Sequence, residues 1–482
     1  MPESQIISST TVMPGNIAPG GSHATAVAGP ARGRRGPRMS DRLRTQAKAA
    51  RHHLAWPVVL FLVALFNPWT FKIGSLAMSM YRLVLVATIV PCLIYWLRGK
   101  VGFRLADILL LAYCGWGTLA LDVNHGIGTA TQSGGILFVE TMGAYLLARC
   151  YVRKLDDFRN MARLLFWLIA ALLPFALYEA VFNDNILLRL FSSVLPSHPV
   201  SYTEPRWGLR RVQTVFEHPI LFGVICGSAL AAANMVVGYG ETGAKRLFKT
   251  GIVGATTFLS FSAGPISAIA AQGLLLGWDW VLRNNPNRWK LLWTVVFAMY
   301  VLVSLASNQS VPEFYMTHFS FDPESAGYRA LIWQYGSGSV MNHPLFGVGY
   351  GKWDRPDWMT SSIDMFWLAN AIFYGLPGGL AMFLAYLSTV FGVGAAKGLG
   401  RKAVVYRTAF LIMMTGFFMV GWTVHFWNAT YVLFLFLLGS GAFLAEPAAS
   451  GDEEPAEEPK RRRNPRTHGH RPVKSGTVPQ RR

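Results

Sequence analysis

Apolar segments of roughly the same length recur along the chain, separated by polar connections. A helix needs about 20 mostly apolar residues to cross a bilayer, and lipid admits only helices or closed barrels because every backbone polar group must be hydrogen-bonded internally. The pattern therefore predicts an all-α polytopic membrane protein with about 12 transmembrane helices. The predicted spans are residues 56–70, 75–97, 105–121, 128–148, 162–182, 215–237, 247–262, 264–282, 290–306, 364–391, 403–423 and 426–445.

Lysine and arginine gather in the two tails and in alternate connections. Basic residues near the ends of spans stay preferentially on the cytoplasmic side of a membrane. With twelve spans, every basic cluster is cytoplasmic and so are both termini. Two long connections, residues 183–214 and 307–363, then lie outside the cell membrane, on the periplasmic side.

Composition supports the membrane interpretation and separates three regions. Only 14% of the 482 residues are charged, against about 25% in a soluble globular domain. The net charge of +19 would indicate nucleic acid in a soluble protein, but here it sets topology, so no nucleic-acid partner is expected. We expect disordered cytoplasmic tails at residues 1–55 and 446–482, no cleaved signal peptide, and a transmembrane domain over 56–445.

The four cysteines lie within or at the end of apolar segments, without the paired spacing of metal ligands. We therefore expect neither disulfides nor a zinc site.

The first long loop carries an arginine cluster on the side where basic residues are usually scarce. Arg206, Arg210 and Arg211 lie in the stretch Glu-Pro-Arg-Trp-Gly-Leu-Arg-Arg that begins at Glu204. Guanidinium groups bind phosphate oxygens in a bidentate manner and stay charged, so the cluster suits a pyrophosphate-linked lipid. Contact with lipid headgroups, or an ion pair with Glu204 inside the loop, is the alternative.

Two His-Pro stretches form a near-repeat at the outer ends of the predicted helices. The first reads Glu-His-Pro-Ile-Leu-Phe-Gly from Glu217, and the second reads His-Pro-Leu-Phe-Gly-Val-Gly-Tyr-Gly from His343. Each follows an arginine-bearing stretch, and the second of these contains Arg329. We expect the two loops to converge over one cavity, with His218 and Tyr350 near a ligand and the glycines allowing close backbone approach. A simple turn would leave the same pattern.

The tenth predicted span begins at Asp364, close to Trp358 and Trp367. A carboxylate at the water–lipid boundary can accept a proton from an attacking sugar hydroxyl, and tryptophans can stack on sugar rings. Helix capping and the ordinary enrichment of tryptophan at membrane interfaces are the alternatives. Inside the spans, Arg82 and Glu140 are costly unless they face a partner or a wet cavity, so both are functional candidates. An ion pair between helices that only stabilises packing is the alternative.

The stretches at residues 210–219 and 329–351 resemble the O-antigen ligase and polymerase superfamily, and the resemblance extends over residues 56–445. These multi-span bacterial inner-membrane enzymes transfer glycans from polyprenyl pyrophosphate carriers at the periplasmic face. Ligases of this group have a histidine where this chain has Asp364, followed by the spacing that here gives Gly375 and Gly378. The missing histidine favours a polymerase of an exopolysaccharide or O-antigen repeat unit.

The resemblance implies a metal-independent glycosyltransferase without a cofactor, acting on an undecaprenyl-pyrophosphate-linked oligosaccharide. It also implies a separate flippase and a chain-length co-polymerase as partners, in contact with membrane lipids. Cations would stabilise the departing pyrophosphate, and a base would lie near the acceptor hydroxyl. The candidates for pyrophosphate are Arg206, Arg210, Arg211 and Arg329; those for the catalytic base are Asp364, Glu217 and His343; those for glycan or lipid are His218, Trp358, Trp367, Tyr350 and Arg82.

Two other functions remain open from the sequence. A ligase would attach a finished glycan to a lipid or protein acceptor with the same carrier chemistry. A transporter of polysaccharide or lipid-linked oligosaccharide would show inverted repeats, broken helices and several ionisable residues near the bilayer midplane.

Overall fold

A computed structural model of the protein describes residues 53–74, 76–308, 314 and 323–446. The two predicted tails, apart from residues 53–55 and 446, lie outside the described residues. Residues 309–313 and 315–322 of the second long loop also lie outside the described residues.

The described residues are mostly helical, as the sequence predicts. One two-stranded hairpin joins β1 (Thr70–Ile73) antiparallel to β2 (Leu76–Ser79), with Thr70 opposite Ser79. Three short stretches depart from α-helical geometry within or after helices, namely the π-turns Val139–Gly143 and Ala233–Val237 and the 3-10 turn Ala442–Ala445. The helices in chain order are α1 (Trp56–Leu65), α2 (Met80–Leu97), α3 (Leu105–Phe138), α4 (Ala144–Tyr151), α5 (Leu155–Phe182), α6 (Ile186–Ser192), α7 (Pro219–Ser228), α8 (Leu230–Ala232), α9 (Gly243–Phe258), α10 (Ala263–Val281), α11 (Arg288–Ala306), α12 (Pro323–Asn342), α13 (Phe366–Gly394), α14 (Arg401–Val420) and α15 (Ala429–Ser440).

Seven helical segments of the described chain are long and apolar enough to cross a membrane. This confirms a multi-pass membrane protein, while the count of about 12 spans and their orientation stay predictions. The first predicted span, 56–70, is occupied by the ten-residue α1 and the start of the unpredicted β-hairpin. The seven segments are Met80–Leu97, Leu105–Tyr151, Leu155–Phe182, Pro219–Val237, Arg288–Ala306, Phe366–Gly394 and Arg401–Val420.

The long segment Leu105–Tyr151 folds back on itself at Gly126, whose φ of 80° is left-handed. The Tyr145 hydroxyl donates to Asp107 Oδ1 at 2.7 Å, although the two residues are far apart in sequence. A Cβ at Gly134 would meet the side chain of Thr118, which places the middle of one arm against the middle of the other. The segment is therefore an antiparallel pair, in agreement with the two spans predicted at 105–121 and 128–148.

Helix α13 reverses in the same way at Gly375, which has a φ of 73°. The Trp367 ring lies 5.1 Å from the ring of Tyr386, a contact that a straight helix would not allow. The short arm, residues 366–374, is about 14 Å long at 1.5 Å per residue and cannot cross a bilayer. The prediction of one continuous span over 364–391 is therefore wrong, because the left-handed glycine turns the chain through the middle of it.

The glycine-rich stretch after His343 packs against this reversal. The Leu376 N–H donates to the Pro344 carbonyl at 2.7 Å, and the Val348 N–H donates to the Ile372 carbonyl at 2.9 Å. A Cβ at Gly347 would overlap backbone atoms of α13. The close approach that these glycines permit is thus to the chain's own backbone, where the sequence predicted a ligand.

Helix α15 forms the centre of the fold, and every residue from Thr430 to Ser440 is buried. A Cβ at Gly439 would meet the Tyr145 carbonyl, so α15 and α4 are in backbone contact. Small residues at such crossings let membrane helices approach closely. Around α15, large aromatic side chains fill the core, including Phe366, Phe426 and Phe434.

We expect Gly375→Ala to lower the free energy of unfolding by about 1–3 kcal/mol, because a Cβ is strained at positive φ and would overlap the Leu345 carbonyl. The measurement is the melting temperature of the detergent-purified protein. Gly392→Ala is the matched control, since Gly392 lies in the same helix with open space around its Cα. It should melt at the same or a slightly higher temperature. Equal melting temperatures for the two variants would contradict the reversal.

Candidate functional site

A polar cavity of about 880 Å³ lies where α7 and α10 begin. We call it the arginine cavity because three arginines line it. Two acids also line it, Asp364 and the exposed Glu204. The residues that line it with polar side chains are Thr203, Glu204, Arg206, Arg211, His218, Ser262, Tyr328, Arg329, Thr360 and Asp364.

Each arginine of the cavity donates a hydrogen bond to a segment other than its own. Arg206 Nη1 donates to the Phe261 carbonyl at 3.1 Å, and Arg211 Nη2 donates to Ser262 Oγ at 2.8 Å. Arg329, on α12, donates from Nε to the Thr423 carbonyl at 3.2 Å. Segments distant in sequence thus bring three permanent positive charges to one cavity, which favours a multiply charged anion.

Arg206 lies in a tight turn at the arginine cavity. Arg206 and Leu209 exchange two backbone hydrogen bonds of 3.0 Å around Trp207 and Gly208, both of which have positive φ. Phe261, whose carbonyl holds Arg206, also has a positive φ, of 44°. Bulky residues avoid this region, and such outliers concentrate at functional sites.

His218 and Asp364 line the arginine cavity together with the arginines. The Ile220 N–H donates to His218 Nδ1 at 3.2 Å, so the ring proton of the neutral imidazole lies on Nε2. Burial, helped by the positive charge of Arg211, lowers the pKa of His218 to about 4, and Asp364 opposes the shift. His218 is therefore a neutral hydrogen-bond donor at ordinary pH. Asp364 accepts a 2.7 Å hydrogen bond from Ser362 Oγ.

A second cavity, of about 400 Å³, lies beside the short arm of α13, and we call it the paired-charge cavity. Arg82 Nε donates to Glu140 Oε1 at 2.7 Å, which makes these two residues the ion pair that the sequence left open. Arg82 Nη2 also donates to Asn428 Oδ1 at 3.2 Å, and Asn428 Nδ2 donates to Glu217 Oε2 at 2.5 Å. The guanidinium beside this cavity is thus already paired with a carboxylate.

Trp427 stands between the two cavities. Its ring centroid lies 6.1 Å from that of His218 in the arginine cavity. On the other side it stacks on His425 of the paired-charge cavity at 6.0 Å. Asp364 lies just before the short arm of α13, whose residue Asn370 lines the second cavity. The two cavities are therefore neighbours, because Trp427 of the paired-charge cavity contacts His218 of the arginine cavity.

The predicted pyrophosphate residues are brought together with one exception. Arg206, Arg211 and Arg329 line the arginine cavity. Arg210 points away from it: its Nε lies 3.5 Å from Glu179 Oε1, and its Nη1 donates to the Asn183 carbonyl and side chain at 3.0 Å. Arg210 and Arg211 are thus adjacent in sequence, but Arg210 contacts Glu179 and Asn183 whereas Arg211 lines the arginine cavity.

Of the three predicted bases, Asp364 lines the arginine cavity. Glu217 is directed to Asn428. His343 lies near the surface, with Nε2 3.6 Å from Asp354 Oδ2. The expectation that both His-Pro stretches line one cavity is therefore wrong, because the second stretch packs on the Gly375 reversal. Its Tyr350 instead lines the paired-charge cavity.

The residues predicted to bind the glycan or lipid lie in different parts of the structure. His218 lines the arginine cavity, while Arg82 and Tyr350 line the paired-charge cavity. Trp358 is 67% exposed. Trp367 is buried in the aromatic core and donates from Nε1 to the Phe418 carbonyl at 3.1 Å. That burial contradicts the expectation that Trp367 stacks on a sugar.

Sequence reasoning missed several residues of both cavities. Tyr328 and Ser262 are ordinary in sequence, and no local pattern marks them. His425, Trp427 and Asn428 carried a signal, since a polar and aromatic cluster covers the connection 424–425 and the start of the last predicted span, 426–445. Asn428 also has a positive φ, of 49°.

The apolar helices define a multi-pass membrane protein, and a cavity lined by three arginines lies at the ends of two of them. Residues 250–383 match the family model described as O-antigen ligase. The match supports the predicted place of the chain in the O-antigen ligase and polymerase superfamily. No curated protein matches the chain. The matched region contains Arg329 and Asp364 of the arginine cavity and Tyr350 and Asn370 of the paired-charge cavity.

We expect Arg210→Ala to destabilise the fold by about 1–3 kcal/mol, because Glu179 is buried and would lose its cationic partner. The Glu179 carboxylate also accepts the backbone N–H groups of Gln213 and Thr214, so the whole loop depends on it. The melting temperature of the purified variant measures the loss. Arg189→Ala is the control, because that pair with Asp184 is exposed and worth little. A melting temperature of Arg210→Ala equal to that of the control would contradict this role.

Proposed function

We propose that the protein is a polysaccharide polymerase of the inner membrane, with its active site facing the periplasm. It would transfer a growing glycan from undecaprenyl pyrophosphate onto a lipid-linked repeat unit. The observation that carries this proposal is the arginine cavity, in which three guanidinium groups surround a space large enough for a pyrophosphate and its first sugars. The match to the O-antigen ligase family supports a glycosyltransferase of this type.

The arginines supply leaving-group stabilisation. As the bond between the anomeric carbon and the pyrophosphate oxygen breaks, the electron pair stays on the pyrophosphate and adds to its negative charge. Arg206, Arg211 and Arg329 are held in advance by the carbonyl of Phe261, the hydroxyl of Ser262 and the carbonyl of Thr423. Preorganised cations at a developing charge contribute several kcal/mol to catalysis. The remaining predicted partner of the pyrophosphate, Arg210, would act through the loop that carries Arg211.

Asp364 is the proposed base. The acceptor hydroxyl oxygen forms the new bond to the anomeric carbon, and its proton passes to the Asp364 carboxylate. The Ser362 hydroxyl fixes one carboxylate oxygen, which leaves the other for the acceptor. His218 donates from Nε2 and would orient a phosphate or sugar oxygen. No nucleotide sugar, metal or cofactor enters this reaction.

A ligase is the second candidate, because the matching family model is described as O-antigen ligase. It would use the same arginine cavity and differ in the acceptor. Asp364, in place of the ligase histidine, favours the polymerase. Cells that lack the protein would accumulate long unattached polymer if it is a ligase, and single repeats if it is a polymerase.

We expect Arg211→Ala and Arg329→Ala each to reduce polymer formation at least about 100-fold, since each removes a preorganised cation from the leaving group. Purified protein in liposomes is incubated with lipid-linked repeat unit and no nucleotide sugar, and products are resolved by size. Arg189→Ala, an exposed arginine outside the arginine cavity, should give the normal ladder. Normal ladders from both cavity variants would refute the pyrophosphate site.

We expect His218→Gln to keep more activity than His218→Ala, because glutamine retains a neutral donor. Since the pKa of His218 is lowered to about 4, the ring is uncharged above about pH 5 and charges only as the pH falls through that value. The polymer yield of the unaltered protein between pH 5.5 and 8 should therefore show no step from this residue. A step near pH 6.5 that His218→Gln removes would show that a charged imidazole takes part.

A further inference from the structure

We infer that the paired-charge cavity is the acceptor subsite, which binds an uncharged, hydroxyl-rich sugar of the repeat unit. The inference rests on the proposed function, because it assigns the second substrate of the same transfer. Its chemistry differs from that of the arginine cavity, and each difference points to a neutral carbohydrate.

Among the described residues, the one guanidinium that lines the paired-charge cavity, that of Arg82, is already paired with a carboxylate. Arg82 is bonded to Glu140 and to Asn428, and Asn428 is bonded in turn to Glu217. A phosphate there would have to compete with two carboxylates for a single guanidinium. Sugar hydroxyls both donate and accept, so they can join the carboxylate and guanidinium groups without breaking the pair.

The remaining lining combines aromatic faces with a fixed amide. Tyr350, Phe373 and Trp427 supply the faces. Asn370 is held in one orientation, because its Oδ1 accepts from the Tyr113 hydroxyl at 2.6 Å and its Nδ2 donates to the Phe366 carbonyl at 2.7 Å. A cavity of about 400 Å³ that combines aromatic walls with a few oriented polar groups has the size of a small-ligand site.

His425 supplies an unsatisfied polar atom. Within the described residues its Nδ1 is buried without a hydrogen-bond partner. Burial keeps the ring neutral and lowers its pKa to about 4. A buried polar atom is expected to have a partner, and a ligand hydroxyl in the cavity that His425 lines would provide one.

The position of the cavity suits an acceptor. Trp427 separates it from the arginine cavity, and Asp364 lies at the start of the short arm that forms its wall. A sugar that enters from this side brings a hydroxyl toward the proposed base, while the donor pyrophosphate occupies the other side.

The test measures binding of the two ligands separately on the full-length protein in lipid nanodiscs. The first probe is the repeat-unit oligosaccharide released from its lipid carrier and labelled with a fluorophore, and the second is inorganic pyrophosphate. We expect Trp427→Ala and Tyr350→Ala to weaken oligosaccharide binding about tenfold and to leave pyrophosphate binding unchanged. Arg211→Ala should do the reverse.

Two matched controls address folding. Trp422→Ala removes a tryptophan that packs on Trp333 outside the lining of the two cavities, and Tyr202→Ala removes a tyrosine that is 95% exposed. Both should bind the oligosaccharide normally. Tyr350 is itself 55% exposed, so its variant should fold even if Trp427→Ala does not.

The outcomes separate this inference from the proposed function. Oligosaccharide binding that is normal in both Trp427→Ala and Tyr350→Ala overturns the acceptor subsite, whatever the polymerase assay shows. Weakened binding in these variants, together with a failure of the unaltered protein to make polymer from authentic substrate, keeps the sugar site and refutes the polymerase.

Discussion

The site depends on the reversal of the chain at Gly375. Glycine adopts a left-handed conformation inside a helix without the steric strain that a Cβ would cause. Here Gly375 folds a short arm back along the long arm of α13. The aromatic contact between Trp367 and Tyr386 and the hydrogen bond from Leu376 to Pro344 fix the reversal on its two sides. Because the short arm is too short to cross a bilayer, its first residues and Asp364 lie at the two polar cavities.

Electrostatics divides these cavities into two kinds. Among the described residues that line the arginine cavity are three arginines, and each is positioned by a carbonyl or hydroxyl from another segment. In the paired-charge cavity, Arg82 and Glu140 satisfy one another. A buried charge without a partner costs far more than a paired one. The paired-charge cavity is therefore stable without a ligand.

The sequence predicted those features that depend on local composition. Apolar length predicted the helical membrane fold, and the outward arginines predicted the cluster of Arg206, Arg211 and Arg329. It did not predict that Arg210 serves Glu179, because adjacent side chains in an irregular loop have no fixed relative direction. It also predicted a straight helix through Gly375, since the apolar pattern continues across Gly375 and Pro377, and membrane helices tolerate both residue types without reversing. The pairing of Arg82 with Glu140 joins residues 58 positions apart, which no local pattern encodes.

The choice between polymerase and ligase is a question about the acceptor, because both reactions break the same bond and release the same pyrophosphate. The arginine cavity serves either reaction. What would distinguish them is the neighbouring cavity. Its ion pair, fixed amides and aromatic faces would bind a neutral sugar and offer few cationic contacts to an additional phosphate. A heavily phosphorylated acceptor would need uncompensated cations at that position. As the proposed acceptor subsite, the second cavity would therefore bind a neutral sugar in preference to a heavily phosphorylated acceptor.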